Sequence, residues 1–282
     1  MDGRLAVGCR FLLSRCVCTL VLAVGAAVSA GGVSVGASAQ DLQPGEAYVT
    51  RFSGTTTKNS RTIIDVTGTV GSIVDVRQPG ESAQGQHWLS EPQRLPVTAG
   101  EIGQVFGVAL DDSDPPNVYL TATSAFGLHR TPDNAGWMVG QWGAQGGPGT
   151  VWKLSADNGY KPEIFADITL NGRGNSGPAL GNIAYDKWNK QLYVSDLETG
   201  MIHRLSASDG QDLGRYDHGT QGRLSFIDAL TGAQDSLPTV AFDPTTTARI
   251  TSCPGGAFAS TTDCWNFADF RRRVWEIGRA HV

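Results

Sequence analysis

The 282-residue sequence has few charged residues. Only 17% are Asp, Glu, Lys or Arg, against the usual quarter or so in soluble domains. Coiled coils and helical bundles, which use Glu, Lys, Ala and Leu in bulk, are therefore excluded. The 40% hydrophobic content excludes a disordered chain. A formal net charge of −5 gives no electrostatic reason to bind nucleic acid.

Long hydrophobic runs are also lacking. The apolar run Cys16–Val28 is shorter than the roughly 20 residues needed to span a bilayer. It follows three arginines and precedes the small-residue triplet Ala37–Ala39, the order of a secretory signal peptide. Residues 1–39 are predicted to be removed, leaving Gln40 first. A competing cleavage site ends at Ala30, and an uncleaved anchor is the alternative. We expect a secreted, periplasmic or cell-surface protein without a transmembrane span in the mature part.

Cysteine is scarce once that segment is set aside. Of five cysteines, only Cys253 and Cys264 lie in the mature chain. An even pair in an oxidising compartment predicts a disulfide.

The last seven residues, 276–282 (EIGRAHV), resemble the translation of a sequencing-adapter oligonucleotide. We interpret them as a non-native tail. The natural chain is then expected to continue past Trp275; a native C-terminus is the alternative.

Helical periodicity is weak throughout the mature chain. Short runs rich in Val, Ile, Thr and Tyr alternate with clusters of Gly, Asp, Asn and Pro, which indicates an all-β fold. The predicted strands are Ala47–Phe52, Thr62–Val66, Ser72–Val76, Val105–Leu110, Val118–Ala122, Thr150–Leu154, Glu163–Ile168, Asn182–Tyr185, Gln191–Ser195, Met201–Leu205 and Thr239–Phe242.

An internal repeat determines the predicted architecture. Val108–Asp111, Ile183–Asp186 and Val240–Asp243 share one pattern: a β-branched residue, Ala, a large apolar residue and Asp. The clearest copy, Gly181–Tyr216, has room for four strands and reads as one blade of a β-propeller. The closing Asp is expected to begin the turn into the second strand by bonding its own backbone.

These blades resemble those of NHL-repeat and regucalcin- or strictosidine-synthase-like propellers. The similarity covers residues 100–275 and implies a partial propeller, six- or seven-bladed when complete. Residues 40–99 match less well and are interpreted as closing-blade strands or a small β module. Such propellers host binders, hydrolases and scaffolds, so the fold alone does not give the function.

Familiar catalytic motifs are absent from the sequence. Gly172–Gly177 matches the dinucleotide pattern G-x-G-x-x-G, but Pro178 and a β-type run follow instead of the helix that phosphate binding needs. We interpret it as a loop joining two blades. Asp111–Asp114 is followed by two prolines and reads as a solvated turn, since no Glu closes a calcium loop. The histidines His87, His129, His203 and His218 lack metal-ligand spacing.

Candidate binding residues follow from propeller topology. Asn175 precedes the first strand of one blade, and Asp196 follows its second, so both belong to the same face. Glu101 and the long stretch Ser124–Gly149, with Trp137 and Trp142, hold the equivalent places in the preceding blade. The resemblance to regucalcin implies a metal site of Glu101, Asn175 and Asp196, with calcium as the metal. The alternative is that these are turn-forming side chains, and no cofactor follows from the residues themselves.

The sequence thus predicts an exported binding or scaffold module of unidentified ligand, without catalytic residues. Protein and carbohydrate are the ligand classes considered. The first alternative is a metal-dependent lactonase or esterase of the regucalcin type. The second is a sugar binder that uses Trp137 and Trp142, because tryptophan faces pack on apolar ligand surfaces.

Overall fold

The described part of the chain is all-β. The structure, a computed structural model, describes residues 41–77, 84, 92–133, 136–221, 225–236, 238–243, 272 and 274. Its strands are β1 (Glu46–Thr50), β2 (Thr55–Lys58), β3 (Arg61–Ile64), β4 (Thr69–Asp75), β5 (Gln93–Thr98), β6 (Val105–Leu110), β7 (Val118–Ala122), β8 (Thr150–Leu154), β9 (Pro162–Asp167), β10 (Thr169–Leu170), β11 (Arg173–Gly174), β12 (Leu180–Asp186), β13 (Gln191–Asp196), β14 (Met201–Ser206), β15 (Asp212–Asp217), β16 (Phe226–Ile227) and β17 (Gln234–Asp235). Two one-turn helices, α1 (Ala99–Ile102) and α2 (His218–Gln221), and a 3₁₀ turn at Ala156–Asn158 complete the described elements.

Three larger antiparallel sheets form the body. The N-terminal sheet has the order β1-β4-β5. The first four-stranded sheet runs β6-β7-β8-β9, and the second runs β12-β13-β14-β15. Each four-stranded sheet is a simple meander, because every strand pairs with its neighbour in sequence. Two-stranded hairpins join β2 to β3, β10 to β11, and β16 to β17.

The inner strands β7 and β8 of the first four-stranded sheet are buried on both faces. Side chains alternate between the faces of a strand, so Val118 and Leu120 join the core shared with the N-terminal sheet. Tyr119 between them points the other way, into the core shared with the second four-stranded sheet. This double burial explains why all five residues of β7 are buried.

The second four-stranded sheet packs on the first through β12, which contacts β6 and β7. The Thr121 hydroxyl donates to the Gly181 carbonyl at 2.7 Å across this junction. Gly107 allows the close approach, because a Cβ there would lie 2.8 Å from the Gly181 oxygen. Leu192 and Val194 of β13 supply the facing apolar surface.

The aspartates that close the repeat motif begin turns, as predicted. Asp111 Oδ1 accepts hydrogen bonds from the backbone N–H groups of Ser113 (3.1 Å) and Asn117 (2.9 Å). Asp186 Oδ1 accepts from the N–H of Trp188 at 3.0 Å. Both are side-chain-to-backbone turns that connect the first strand of a sheet to the second.

Most predicted strands are confirmed, and three have the predicted bounds: β6, β7 and β8. The strand predicted at Thr239–Phe242 is wrong, because no strand is assigned there. Pro238 and Pro244 flank it and cannot donate to a sheet ladder. Strand β2 was missed because its residues, TTTK, are all exposed and have no apolar alternation. Strand β5 was missed because it contains Pro96, which is tolerated at the edge of its sheet.

Among the described residues, no helix has the length and apolar character to cross a bilayer. The predicted signal peptide, His87, Cys253, Cys264 and the tail at 276–282 lie outside the described residues.

Candidate functional site

The predicted binding loops meet at one end of the two four-stranded sheets, which we call the loop end. Strand β7 ends beside the start of β12, where Thr123 and Ala179 form a bridge. The Ser124 hydroxyl donates to the Pro178 carbonyl at 2.5 Å. Within the second sheet, Leu180 pairs with Asp196, so the end of β13 lies at the same end.

Asn175 organises the loop that enters β12. Its Oδ1 accepts hydrogen bonds from the N–H groups of Gly177 (2.9 Å) and Ala179 (3.0 Å). Its Nδ2 donates to Asp196 Oδ1 at 2.8 Å. The structure therefore brings Asn175 and Asp196 into direct contact, and Asn175 also acts as the turn-forming residue of the alternative interpretation.

Asp196 is buried, and its carboxylate is held by its own chain. Besides Asn175, Oδ1 accepts from the Glu198 N–H at 2.9 Å, and Oδ2 accepts from the Thr199 hydroxyl at 2.8 Å. Burial raises the pKa of this carboxyl above its usual value, against the opposing hydrogen bond from Thr199. The carboxylate thus closes the β13–β14 turn from inside.

His203 lies below Asp196 on β14 and is fully buried. Its Nε2 is 4.0 Å from Asp196 Oδ2, and its Nδ1 is 3.0 Å from Asp212 Oδ2. The imidazole therefore connects the loop end to the outer strand β15. From its alternation with Ile202, His203 is expected to be a structural or surface residue; its partner carboxylates are brought to it only by strand register.

Glu198 is a member of the site that sequence reasoning missed. It is 2% exposed. One oxygen accepts from Arg173 Nη2 at 2.7 Å and from the Ser176 hydroxyl at 2.8 Å. The other accepts from the Ser176 N–H at 2.7 Å. Burial raises the Glu198 pKa, opposed by the hydrogen bonds from Ser176. The one sequence signal for its place in the site is that it lies two residues after Asp196, in the same turn.

The glycine-rich segment has a structural use. Arg173 and Ser176, both inside Gly172–Gly177, bind Glu198. Strand β12, and not a helix, follows the segment. A pyrophosphate site of the dinucleotide kind needs a helix N-terminus at this point, so the interpretation as a joining loop is supported.

Glu101 lies in α1, far from Asp196 in sequence. Its Oε2 accepts from the N–H and the hydroxyl of Thr98, each at 2.8 Å. This carboxylate closes the first turn of α1. In the part of the chain that the structure describes, no group of three or more His, Cys, Asp or Glu side chains is arranged to hold a metal ion.

The long stretch Ser124–Gly149 is ordered by two buried glutamines. Gln141 Oε1 accepts from the His129 N–H at 2.9 Å, and Gln104 Nε2 donates to the Gly140 carbonyl at 3.1 Å. Leu128 packs with Ala122 in a small core at the loop end. The described residues of this loop are therefore part of the folded body, and their exposed side chains extend from a backbone that the two glutamines hold.

The two tryptophans of this loop contact each other edge to face. Their ring centroids are 5.2 Å apart, at an interplanar angle of 81°. Trp142 is 5% exposed, and Trp137 is half-buried. The Arg130 guanidinium lies 4.4 Å from the centre of the Trp137 ring. Trp142 is thus a core residue, and only Trp137 reaches the surface.

No family model matches the chain. No curated protein matches it either. Among solved structures, the chain is similar to one described as "Structure of U3-55K", at 10% sequence identity and a TM-score of 0.27. The match covers 62% of this chain and 47% of that one, so this chain spans about half its length. A similarity at this TM-score supports no statement about fold or function.

Proposed function

We propose that the chain is an exported binding module with β-propeller architecture, which presents its loop end to a protein partner. Two consecutive four-stranded meanders stacked face to face support the propeller, because blades pack in this way around a propeller axis. Membership of the NHL-repeat and regucalcin-like group is part of the same proposal.

The main support for this function is that the buried carboxylates at the loop end are hydrogen-bonded to groups of their own chain. The carboxylates of Asp196 and Glu198 accept hydrogen bonds from Asn175, Thr199, Ser176 and Arg173 of their own chain. Buried charges that are fully hydrogen-bonded fix a backbone. The polar centre of the loop end therefore acts as a scaffold, and recognition falls to the exposed side chains around it.

The exposed part of the long loop has the composition of a protein interface. Val139 is 79% exposed, and Trp137, two residues before it in the chain, makes a cation–π contact with Arg130. Trp and Arg are enriched among interface residues that carry binding energy. Because the loop backbone is held by Gln141 and Gln104, little ordering entropy opposes binding.

The two alternative functions have less support. A regucalcin-type lactonase needs Asp196 and Asn175 as open metal ligands, whereas they bind each other at 2.8 Å. A sugar-binding platform needs an accessible indole face. Trp142 is buried, and Arg130 covers the Trp137 ring.

Capture of partners by the immobilised mature protein tests the proposal, with envelope and secreted proteins of the source as the sample. Trp137→Ala should abolish retention of a bound protein. Trp188→Ala is the matched control, because Trp188 is 71% exposed and lies in the β12–β13 turn at the opposite end. Equal retention by both variants would contradict binding through the loop end.

A calcium titration with a panel of lactones and esters tests the hydrolase alternative. We expect no calcium-dependent turnover. Turnover that requires calcium and disappears in Asp196→Ala would replace the binding module with the hydrolase.

Export is tested at the N-terminus. The secreted protein should begin near Gln40, because the arginine-rich, apolar and small-residue segments occur in the order that signal peptidase needs. Secreted material that retains residues 1–30 would show that this proposal is wrong.

A further inference from the structure

We infer that the outer face of the second four-stranded sheet is the docking surface for residues 238–275 of the same chain, which carry the third copy of the repeat. This surface is distinct from the loop end. The inference depends on the repeat architecture and not on whether the loop end binds a partner.

Equivalent residues differ in burial between the two repeat copies that form the four-stranded sheets. In the first four-stranded sheet, the repeat residues Ala109, Tyr119 and Val151 face the second sheet and are 9%, 0% and 0% exposed. Alignment of the motifs makes Ala184, Tyr193 and Ile202 their counterparts in the second sheet. These three counterparts are only half-buried. The same positions are therefore covered in the first copy and incompletely covered in the second.

The direction of packing is also the same in both copies. Leu120 and Leu154 of the first sheet face the preceding N-terminal sheet. Their counterparts Val194 and Leu205 face the preceding first sheet. Each copy thus turns one face to the sheet before it, which leaves the other face for the sheet after it.

A groove marks that outer face. Its volume is about 300 Å³, and it is lined by Tyr193, Ile202, Arg204, Gly214, Arg215 and Tyr216. Tyr216 is 42% exposed, and it is the counterpart of Ala166, which packs in the core between the two sheets. Two tyrosines and an isoleucine lie in this groove beside the charged side chains of Arg204 and Arg215. Apolar side chains that stand partly open on a sheet face are a surface that another sheet would cover.

The repeat motif in the sequence identifies residues 238–275 as the segment that covers this face. Val240–Asp243 repeats the first-strand motif, and Val274-Trp275 repeats the Val151-Trp152 pair of the third strand. In the third copy 34 residues separate Val240 from Val274, between the 19 from Ile183 to Ile202 and the 43 from Val108 to Val151. Residues 239–242 are not in a strand, but the segment has the length of the copies that form the other two sheets, which is enough to cover one sheet face.

Two described residues of this segment, Val240 and Arg272, already contact the second sheet and its flanking turns. The Val240 N–H donates to the Gly219 carbonyl at 2.9 Å. Arg272 is 1% exposed, donates from Nε to the Thr199 carbonyl at 3.0 Å, and pairs with Asp217 at 2.8 Å. Two points of the segment are thus attached at the loop end of the sheet whose outer face is open.

Hydroxyl-radical footprinting of the full mature chain tests the inference. If the segment covers the face, the reactivity of Tyr193 and Tyr216 towards hydroxyl radicals should be as low as that of the buried Tyr119. Comparison with a tryptophan needs a correction for the higher intrinsic reactivity of that residue type. Trp188, 71% exposed, is the reactive reference. Reactivity of Tyr193 and Tyr216 at the level of Trp188 would overturn the docking. The molar mass is measured by light scattering at two protein concentrations. If Tyr193 and Tyr216 are protected only at the concentration where the mass doubles, a second copy of the chain covers the face, and the inference is wrong.

A charge inserted in the groove gives a second readout. Ile202→Asp should make the Arg271–Arg273 region susceptible to trypsin in the full chain. Ile227→Asp makes the same change at a position that is 72% exposed and outside the groove, and it should leave trypsin resistance unchanged. If Tyr119 stays protected from hydroxyl radicals in Ile202→Asp, the two four-stranded sheets are still folded in that variant. Equal trypsin sensitivity of both variants would contradict the docking, whereas capture through Trp137 would be unaffected.

Discussion

Buried carboxylates at the loop end show how single residues hold this fold together. Asp196 and Glu198 are 3% and 2% exposed, and each accepts hydrogen bonds from the neighbouring loop. A buried carboxylate is costly unless its oxygens are bonded. The two residues therefore stabilise the loops only as long as Asn175, Ser176 and Arg173 stay in place.

Removing the Glu198 carboxylate should lower stability. Glu198→Ala removes the charged acceptor of three hydrogen bonds, from the N–H and hydroxyl of Ser176 and from Arg173, which costs about 1–3 kcal/mol of unfolding free energy. Urea denaturation monitored by tryptophan fluorescence measures the change. Asp157→Ala, at an exposed position, is the control and should change stability by less than about 0.5 kcal/mol. A loss no larger than that of the control would show that the Glu198 contacts contribute little.

The pH dependence of stability should report the same residue. Burial raises the Glu198 pKa in the folded state, so the folded state binds this proton more tightly than the unfolded chain. The resulting stabilisation is present below the ordinary glutamate value of about 4.3 and is lost as pH rises through the folded pKa. The unfolding free energy of the natural protein should therefore fall relative to that of Glu198→Gln as pH rises. A difference between the two that is constant with pH, or that grows, would contradict the raised pKa.

At the scale of elements, the long loop is held by turns that require glycine. Gly103 ends α1 with φ of +75°, and a Cβ there would overlap the backbone of Trp142. The loop carrying Trp142 thus packs directly on the turn into β6. Gly172, in the β10–β11 hairpin, has φ of +80°, but no atom lies within 4 Å of its Cβ position.

This pair of glycines separates backbone strain from crowding. Gly172→Ala should cost about 1–2 kcal/mol, the penalty for a side chain in the left-handed region. Gly103→Ala should cost about 1–3 kcal/mol more, because the loop must also move. Thermal denaturation of both variants gives the comparison. Equal losses would mean that the Trp142 backbone yields without strain.

At the scale of the whole molecule, sheets are added in sequence order. The N-terminal sheet, the first four-stranded sheet and the second are stacked, and each pair shares one apolar core. Contacts between sheets are mainly between neighbours in sequence, as in repeat proteins. The stability of each sheet therefore depends on the next one covering it.

The predicted disulfide belongs to this scale, because it would lie within the segment that follows the second four-stranded sheet. Cys253 and Cys264 should be joined, which closes a short loop worth roughly 3 kcal/mol or less in the chain-entropy account. A thiol assay on the denatured, unreduced mature protein should detect no free thiol. Two reactive thiols per chain would show that the bond is absent.

The sequence by itself determined the all-β class, the four-strand period and the turns at Asp111 and Asp186. These depend on local alternation, and a side chain bonding its own backbone needs no distant partner. Tertiary structure alone decided that Glu198 meets Arg173 and Ser176, and that His203 lies between Asp196 and Asp212. It also decided that Trp142 is buried while Trp137 reaches the surface. The physical reason is that such contacts depend on strand register and sheet stacking, which join residues far apart in sequence and leave no periodic pattern in the chain.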